Sequence, residues 1–118
     1  MTICIINCLG QDSTDELIGV YESTSNKFER YSVLVLEKDN RFIYKYGVGA
    51  CQGEVKGKWT IEDKRLKFTN DNEFLDNETI VYPNLGLSTW TVKKIGVKPE
   101  KAVDSGCAKD GELHLKRS

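Results

Sequence analysis

The stretch EVKGKWTIEDKRLKF, residues 54–68, alternates apolar and polar side chains with a period of two. One side of its first half carries Val55, Gly57, Trp59 and Ile61. Alternation of this kind is typical of a β-strand with one buried and one solvated face. The polar turn EDKR interrupts the pattern, and Leu66 and Phe68 then resume it. Because so short a turn joins antiparallel neighbours, the stretch predicts a β-hairpin.

The same period extends upstream of this hairpin. YSVLVL (31–36) and RFIYKY (41–46) both alternate, and Asp39 and Asn40 between them tolerate turn geometry. We expect strands to begin near Gly19, Tyr31, Arg41, Glu54 and Arg65. Weaker patterns predict later strands near 79–82, 88–94 and 112–116. The chain is therefore predicted to be all-β, an antiparallel up-and-down meander that closes into a small barrel, with a β-sandwich as the alternative.

One segment of the C-terminal third does not alternate. GVKPEKAVDSGCAKDG (96–111) is rich in glycine, lysine and aspartate and contains Pro99, which interrupts regular structure. We expect it to form a long irregular arm that returns to donate a last strand.

Composition narrows the class of protein. The chain has 118 residues, the size of one domain, with 39% hydrophobic and 30% charged residues. That balance suits a folded domain, and no stretch approaches the ~20 apolar residues of a transmembrane helix. Seventeen basic and eighteen acidic residues leave a net charge of −1. Nucleic-acid binding leans on a basic footprint, so we expect a small molecule or a protein as partner.

The N-terminal stretch MTICIINCLGQDS is apolar and then turns acidic, as the end of a secretory signal peptide does where it meets a mature chain. We interpret residues 1–11 as a signal-peptide remnant or disordered N-terminus and residues 12–118 as a single barrel domain. Two alternatives stay open. Cys8 is a lipidated cysteine in one, and the stretch is an N-terminal edge strand with two buried thiols in the other.

Cys51 and Cys107 remain if that stretch is removed. In an oxidising compartment, two cysteines in a small β-rich domain usually form a disulfide. A metal site would need closely spaced Cys and His ligands, but the chain has no C-x-x-C and a single histidine, His114. We therefore predict a Cys51–Cys107 disulfide and no metal.

Four residue pairs carry a resemblance to a known family. They are Gly19 with Tyr21, Leu34 with Leu36, Phe42 with Tyr44, and Gly57 with Trp59. This pattern, covering residues 19–69, resembles the lipocalin-like β-barrel domains of small bacterial secreted and envelope proteins. The resemblance implies an extracytoplasmic location (secreted, periplasmic or anchored to the outer membrane) and binding of a small apolar ligand. It implies no catalytic residues.

The predicted register puts four aromatic residues on the inward face. They are Tyr44, Tyr46, Trp59 and Phe68. A small barrel either fills its interior with such side chains or holds one small ligand among them. These four residues are therefore the candidate ligand-binding site, and a filled core is the alternative.

No catalytic residue or cofactor motif is predicted. His114 is the one histidine available as a base, and its alternation with Leu113 and Leu115 places it on the solvent side of the last strand. GVGACQG (47–53) lacks the spacing of a dinucleotide-binding loop and is interpreted as a flexible hairpin loop.

Two hypotheses about function follow. In the first, an extracytoplasmic barrel binds a small apolar ligand. In the second, the core is filled and the protein acts through protein–protein contacts, as an inhibitor or a structural accessory protein of the envelope. The volume of the barrel interior separates them.

Overall fold

A computed structural model describes residues 15–24, 30–75 and 81–117. Eight antiparallel strands close into a barrel in the order β1-β10-β7-β6-β5-β4-β3-β2, and two short strands form a separate sheet, β8-β9. The strands are β1 Gly19–Ser23, β2 Arg30–Glu37, β3 Arg41–Val48, β4 Cys51–Glu62, β5 Arg65–Asn70, β6 Trp90–Val92, β7 Gly96–Pro99, β8 Val103–Asp104, β9 Lys109–Asp110 and β10 His114–Lys116. Three 3₁₀ turns occupy Lys38–Asn40, Asn72–Phe74 and Leu85–Leu87. The predicted fold class is confirmed.

The hairpins of the first half follow the sequence pattern. In the β4–β5 hairpin Trp59 pairs with Phe68, so both side chains lie on the same face. Its turn residues Asp63 and Lys64 have φ of 52° and 62°, the left-handed values of the turns that match strand twist. Strand β3 ends at Val48 and strand β4 begins at Cys51. The connection between them therefore has two residues, where a seven-residue loop was expected.

The core forms where inward residues of neighbouring strands meet. Tyr21 pairs with Leu34, Leu34 with Tyr44, and Tyr44 with Val55, which makes one inward row across four strands. All four residues are buried. Gly57 belongs to the next row, where an added Cβ would lie 2.6 Å from the Phe42 ring and 2.0 Å from the Thr69 carbonyl oxygen. Glycine is therefore needed there to let the Phe42 ring pack.

The prediction of an irregular arm over residues 96–111 is wrong at its beginning. Residues 96–99 form β7, which lies between β6 and β10 and completes the barrel wall. Val97 points inward and is fully buried. At Gly96 an added Cβ would lie 2.0 Å from the His114 carbonyl oxygen, so the glycine permits close approach of β10. Glycine and proline indicated a loop, but nonlocal pairing overrides that local preference.

The rest of the arm carries the small β8-β9 sheet, and the predicted disulfide joins it to the barrel. Cys51 at the start of β4 is bonded to Cys107, with Cα atoms 5.9 Å apart. Of the predicted strand at 79–82, residues 79 and 80 lie outside the described residues, and 81–84 form no strand. The predictions for residues 1–11, including Cys8, also lie outside the described residues.

The two ends of the barrel differ in their connections. The turn end carries the tight turns at 38–40, 63–64 and 93–95. The loop end carries the long connections 71–89 and 100–113, the β8-β9 sheet and the disulfide. No helix among the residues described has the length and apolarity to cross a membrane.

Candidate binding site at the loop end of the barrel

The four predicted site residues, Tyr44, Tyr46, Trp59 and Phe68, all lie inside the barrel and are buried. They meet other rings there. Phe68 packs edge-on against Phe42 at 5.0 Å between ring centroids and against Trp90 at 5.9 Å. Tyr44 lies 6.1 Å from Trp90 although β3 and β6 are separated by two strands in the wall. Rings from distant strands therefore contact one another across the interior.

Trp90 is central to this packing. Its side chain is fully buried and contacts the rings of Tyr44, Phe68 and His114. Tyr82 is half-buried and packs edge-on against Phe74 at 5.4 Å. Because β6 pairs with both β5 and β7, Trp90 is carried into the centre of the wall.

A small cavity adjoins these aromatics at the loop end. It measures about 20 Å³, and Tyr44 and Tyr46 contribute to its lining together with Arg30 and Ser32. That volume is enough for about one water molecule, whereas ligand pockets usually measure ~300 Å³ or more. Trp59 and Phe68 do not line it.

His114 faces this cavity region from the inside of the barrel, so the prediction of a solvent-facing histidine is wrong. The side chain has 0% exposure, and Leu115 beside it takes the outward position with 39% exposure. Pairing of His114 with the inward Val97 sets this orientation. Alternation with two leucines gave the period correctly but could not tell which face is inward.

Four side chains from different elements meet around the histidine. We call Ser32 of β2, Tyr44 of β3, Asp110 of β9 and His114 of β10 the polar cluster. The Asp110 Oδ2 atom accepts hydrogen bonds from the Ser32 hydroxyl and from the Tyr44 hydroxyl, the latter at 3.0 Å. The His114 Nε2 atom lies 2.8 Å from Ser32 Oγ and 3.3 Å from Asp110 Oδ2. Each member is less than one-tenth exposed.

The protons of this network can be assigned from its acceptors. The His114 Nδ1 atom lies 2.8 Å from the Glu112 carbonyl oxygen, which can only accept, so Nδ1 carries a proton. The single proton of Ser32 is directed to Asp110. His114 Nε2 faces Ser32 Oγ and a carboxylate oxygen, and a bare ring nitrogen there would meet acceptors alone. A proton on Nε2 as well as on Nδ1 would give each of these contacts a donor and an acceptor.

The electrostatics of Asp110 agree with a charged carboxylate. Burial alone would raise the pKa of Asp110, but the hydrogen bond and charge of His114 and the hydrogen bond of Ser32 lower it to about 2. The Glu112 backbone amide also donates to Asp110 Oδ1 at 3.2 Å. Burial, followed by the charge of Asp110, raises the pKa of Tyr44 well above its ordinary value. Tyr44 therefore stays a hydroxyl donor.

The contacts of Ser32 differ from those of an activated serine nucleophile. A catalytic serine needs a histidine nitrogen that accepts its proton, with the ring oriented from its other nitrogen. Here Ser32 gives its proton to Asp110, and both Ser32 and Asp110 lie against the same nitrogen of His114. Within the part of the chain that the structure describes, no three His, Cys, Asp or Glu side chains are grouped to hold a metal.

Ser32 and Asp110 were not among the predicted site residues. The sequence does contain an indication of Ser32. It lies two residues before Leu34 and four before Leu36, so in a strand it is a polar residue on the apolar face. No comparable signal marks Asp110, which reaches the barrel interior only because the β8-β9 sheet folds back over the loop end. One of its neighbours reinforces that position, since the Arg30 guanidinium donates to the Lys109 carbonyl oxygen at 2.8 Å.

The connection 71–89 forms the other part of the loop end. The buried Asn70 amide donates to the carbonyl oxygens of Phe74 and Pro83 at 2.8 and 3.0 Å and accepts from the Leu85 amide at 3.3 Å. These bonds hold the two sides of the connection together. Apolar side chains remain outside, since Leu75, Val81 and Leu87 have exposures of 43%, 69% and 73%. We call these three the apolar loop surface.

Comparisons with known proteins add no relative. No protein family matches the chain, and no curated protein or solved structure resembles it at a significant level. The closed eight-stranded antiparallel barrel is compatible with a lipocalin-like architecture.

Proposed function

We propose that this protein is a non-enzymatic, extracytoplasmic interaction domain whose filled barrel presents its loop end to a partner protein. The observation that carries the proposal is the contact of Tyr44 and Trp90 across the interior, beside a cavity of only about 20 Å³. A barrel filled in this way leaves its surface for recognition. The Cys51–Cys107 disulfide supports an oxidising compartment, such as the secreted or envelope location implied by the resemblance.

The apolar loop surface is the part of the loop end that we assign to the partner. Leu87 and Val81 expose more than two-thirds of their surface, and the Asn70 hydrogen bonds join Phe74, Pro83 and Leu85 of the same connection. Exposed apolar side chains are typical of protein–protein contact sites, because association removes them from water. The partner should therefore be a protein that offers a complementary apolar patch.

Affinity capture from the source cells, with single substitutions, tests this proposal. The bait proteins are the wild type, Leu87→Glu and the control Ile95→Glu, which places the same charge at a 61% exposed position of the turn end. We expect one protein to be retained by the wild type and by Ile95→Glu and lost with Leu87→Glu. Its loss with both variants, or its retention by both, would contradict the assignment to the loop end.

Native mass spectrometry of the protein from its own source tests the alternative. A retained small molecule, lost on substitution of Trp59 or Phe68, would replace the proposal with a barrel that binds an apolar ligand. We expect the mass of the unliganded chain.

A further inference from the structure

The Asp110 carboxylate contacts the barrel although its residue lies outside the barrel sheet. Asp110 is the last residue of β9, which belongs to the separate two-stranded sheet and is not part of the barrel wall. The groups that hold the carboxylate stand on the barrel wall, on β2, β3 and β10. A carboxylate carried by one substructure is thus bound by donors that belong to another.

The barrel donors converge on a single oxygen. Ser32, Tyr44 and His114 all approach Oδ2, whereas Oδ1 has the Glu112 backbone amide, two residues along its own chain. A charged donor with two hydroxyl donors is the arrangement with which proteins recognise carboxylates. With both ring nitrogens protonated, the fully buried His114 would supply the compensating positive charge.

One further donor and some space adjoin this group. The Trp90 indole lies 4.9 Å from the His114 ring between centroids, and among the residues described its Nε1–H has no acceptor. The cavity of about 20 Å³ opens beside Asp110, with Arg30 and Glu112 among its lining residues as the other charged groups. Removal of the aspartate side chain would enlarge this space by the volume of one carboxylate.

We propose that the loop end of the barrel is a binding site for small monocarboxylates, which the chain's own Asp110 occupies. The site consists of Ser32, Tyr44 and His114. Because Asp110 is held in place by its own chain, its effective concentration exceeds that of a free acid at ordinary concentrations. A free carboxylate therefore binds when the Asp110 side chain is withdrawn or removed.

Rescue of Asp110→Ala by formate tests the site. We expect the thermal unfolding midpoint of this variant to lie below that of the wild type and to rise saturably as sodium formate replaces sodium chloride at constant ionic strength. Two control variants should not respond to formate. Asp110→Asn fills the site with an amide, and Asp104→Ala removes an exposed carboxylate of the same small sheet. Equal stabilisation by formate and chloride, or no stabilisation, would overturn the proposal.

The single histidine of the chain provides an independent readout. Two-bond ¹H–¹⁵N correlation spectra of the imidazole distinguish one protonated ring nitrogen from two. In the wild type near neutral pH we expect two. In Asp110→Ala we expect the Nε2 proton to be lost and formate to restore it. If the wild type shows a single protonated nitrogen, the proposal fails even where Asp110→Ala does not fold.

Discussion

The first five barrel strands and the last three are built in different ways. Strands β1 to β5 have 5 to 12 residues, and each pairs with its sequence neighbour through a short connection. Strands β6, β7 and β10 have 3 or 4 residues, and β10 reaches its partners β1 and β7 only after the excursion through the β8-β9 sheet. The first group rests on local pairing. In the second group β6 and β7 form one local hairpin, but the pairing of β6 with β5 and of β10 with β1 and β7 joins segments distant in sequence.

The short strands compensate by what they insert into the core. Trp90, Val97 and His114 each have 0% exposure, so every short barrel strand supplies one fully buried anchor. Burial of one such side chain contributes a free energy of the same order as the few ladder hydrogen bonds of a three-residue strand. The length of a strand and its contribution to the core are therefore separate properties in this barrel.

Loss of a tryptophan from each group should have the largest effect. Trp59→Ala and Trp90→Ala should each lower the free energy of unfolding by about 3 to 5 kcal/mol, because both side chains are buried and leave a cavity. Urea unfolding followed by circular dichroism measures it. Lys98→Ala, exposed on β7, is the control and should change stability by about 0.5 kcal/mol or less. A cost under about 1 kcal/mol for Trp90→Ala would show that the short strands do not depend on Trp90 as an anchor in the core.

Removal of the disulfide should follow in size. Cys51 and Cys107 are 56 residues apart, and a bridge over that separation restricts the unfolded chain by about 4 kcal/mol in the chain-entropy account. The double variant with serine at both positions should unfold at correspondingly lower urea, and release of Cys107 should also make local opening of the loop end faster. Hydrogen exchange at β8 and β9 would locate it. Unchanged exchange there would show that Asp110 alone holds the small sheet.

Acid should weaken the attachment of the small sheet through Asp110. The folded pKa of about 2 lies below the ordinary value of 3.8, so the carboxylate stabilises the fold above about pH 4 and loses that effect as pH falls toward 2. The wild type should lose about 2 kcal/mol over this range that Asp110→Asn does not lose. Urea midpoints across the range provide the measurement. Asp104→Asn should keep the wild-type dependence.

The smallest effect is expected at the junction of the two groups. Arg41 of β3 forms a two-bond ion pair with Asp71 at the start of the long connection, one bond measuring 2.9 Å. The hydrogen bond that Asp71 accepts from Arg41 lowers the pKa of the Asp71 carboxyl group. Because both side chains are partly exposed, Asp71→Ala should cost about 0.2 to 1 kcal/mol, and less at high salt. Asn70→Ala, which removes buried hydrogen bonds, should cost about 1 to 3 kcal/mol. The reverse order would show that charge organises this connection.

The sequence predicted the first group of strands well, including the shared face of Trp59 and Phe68 and the disulfide. It failed where strands are too short to show a period. Three residues at β6 or β10 fit several patterns, so the inward face of His114 could not be read from its leucine neighbours. The sequence did not reveal the candidate site either, because its carboxylate and its donors come from elements up to 78 residues apart.

By itself, therefore, the sequence determined an all-β meander with an apolar face, because alternation and turn residues act over a few neighbouring positions. Closure of the barrel, the inward position of His114 and the placing of Asp110 against Ser32 and Tyr44 were decided by the tertiary structure. Each depends on pairing between segments distant in sequence, and local preferences carry no information about which distant partner a short strand will meet.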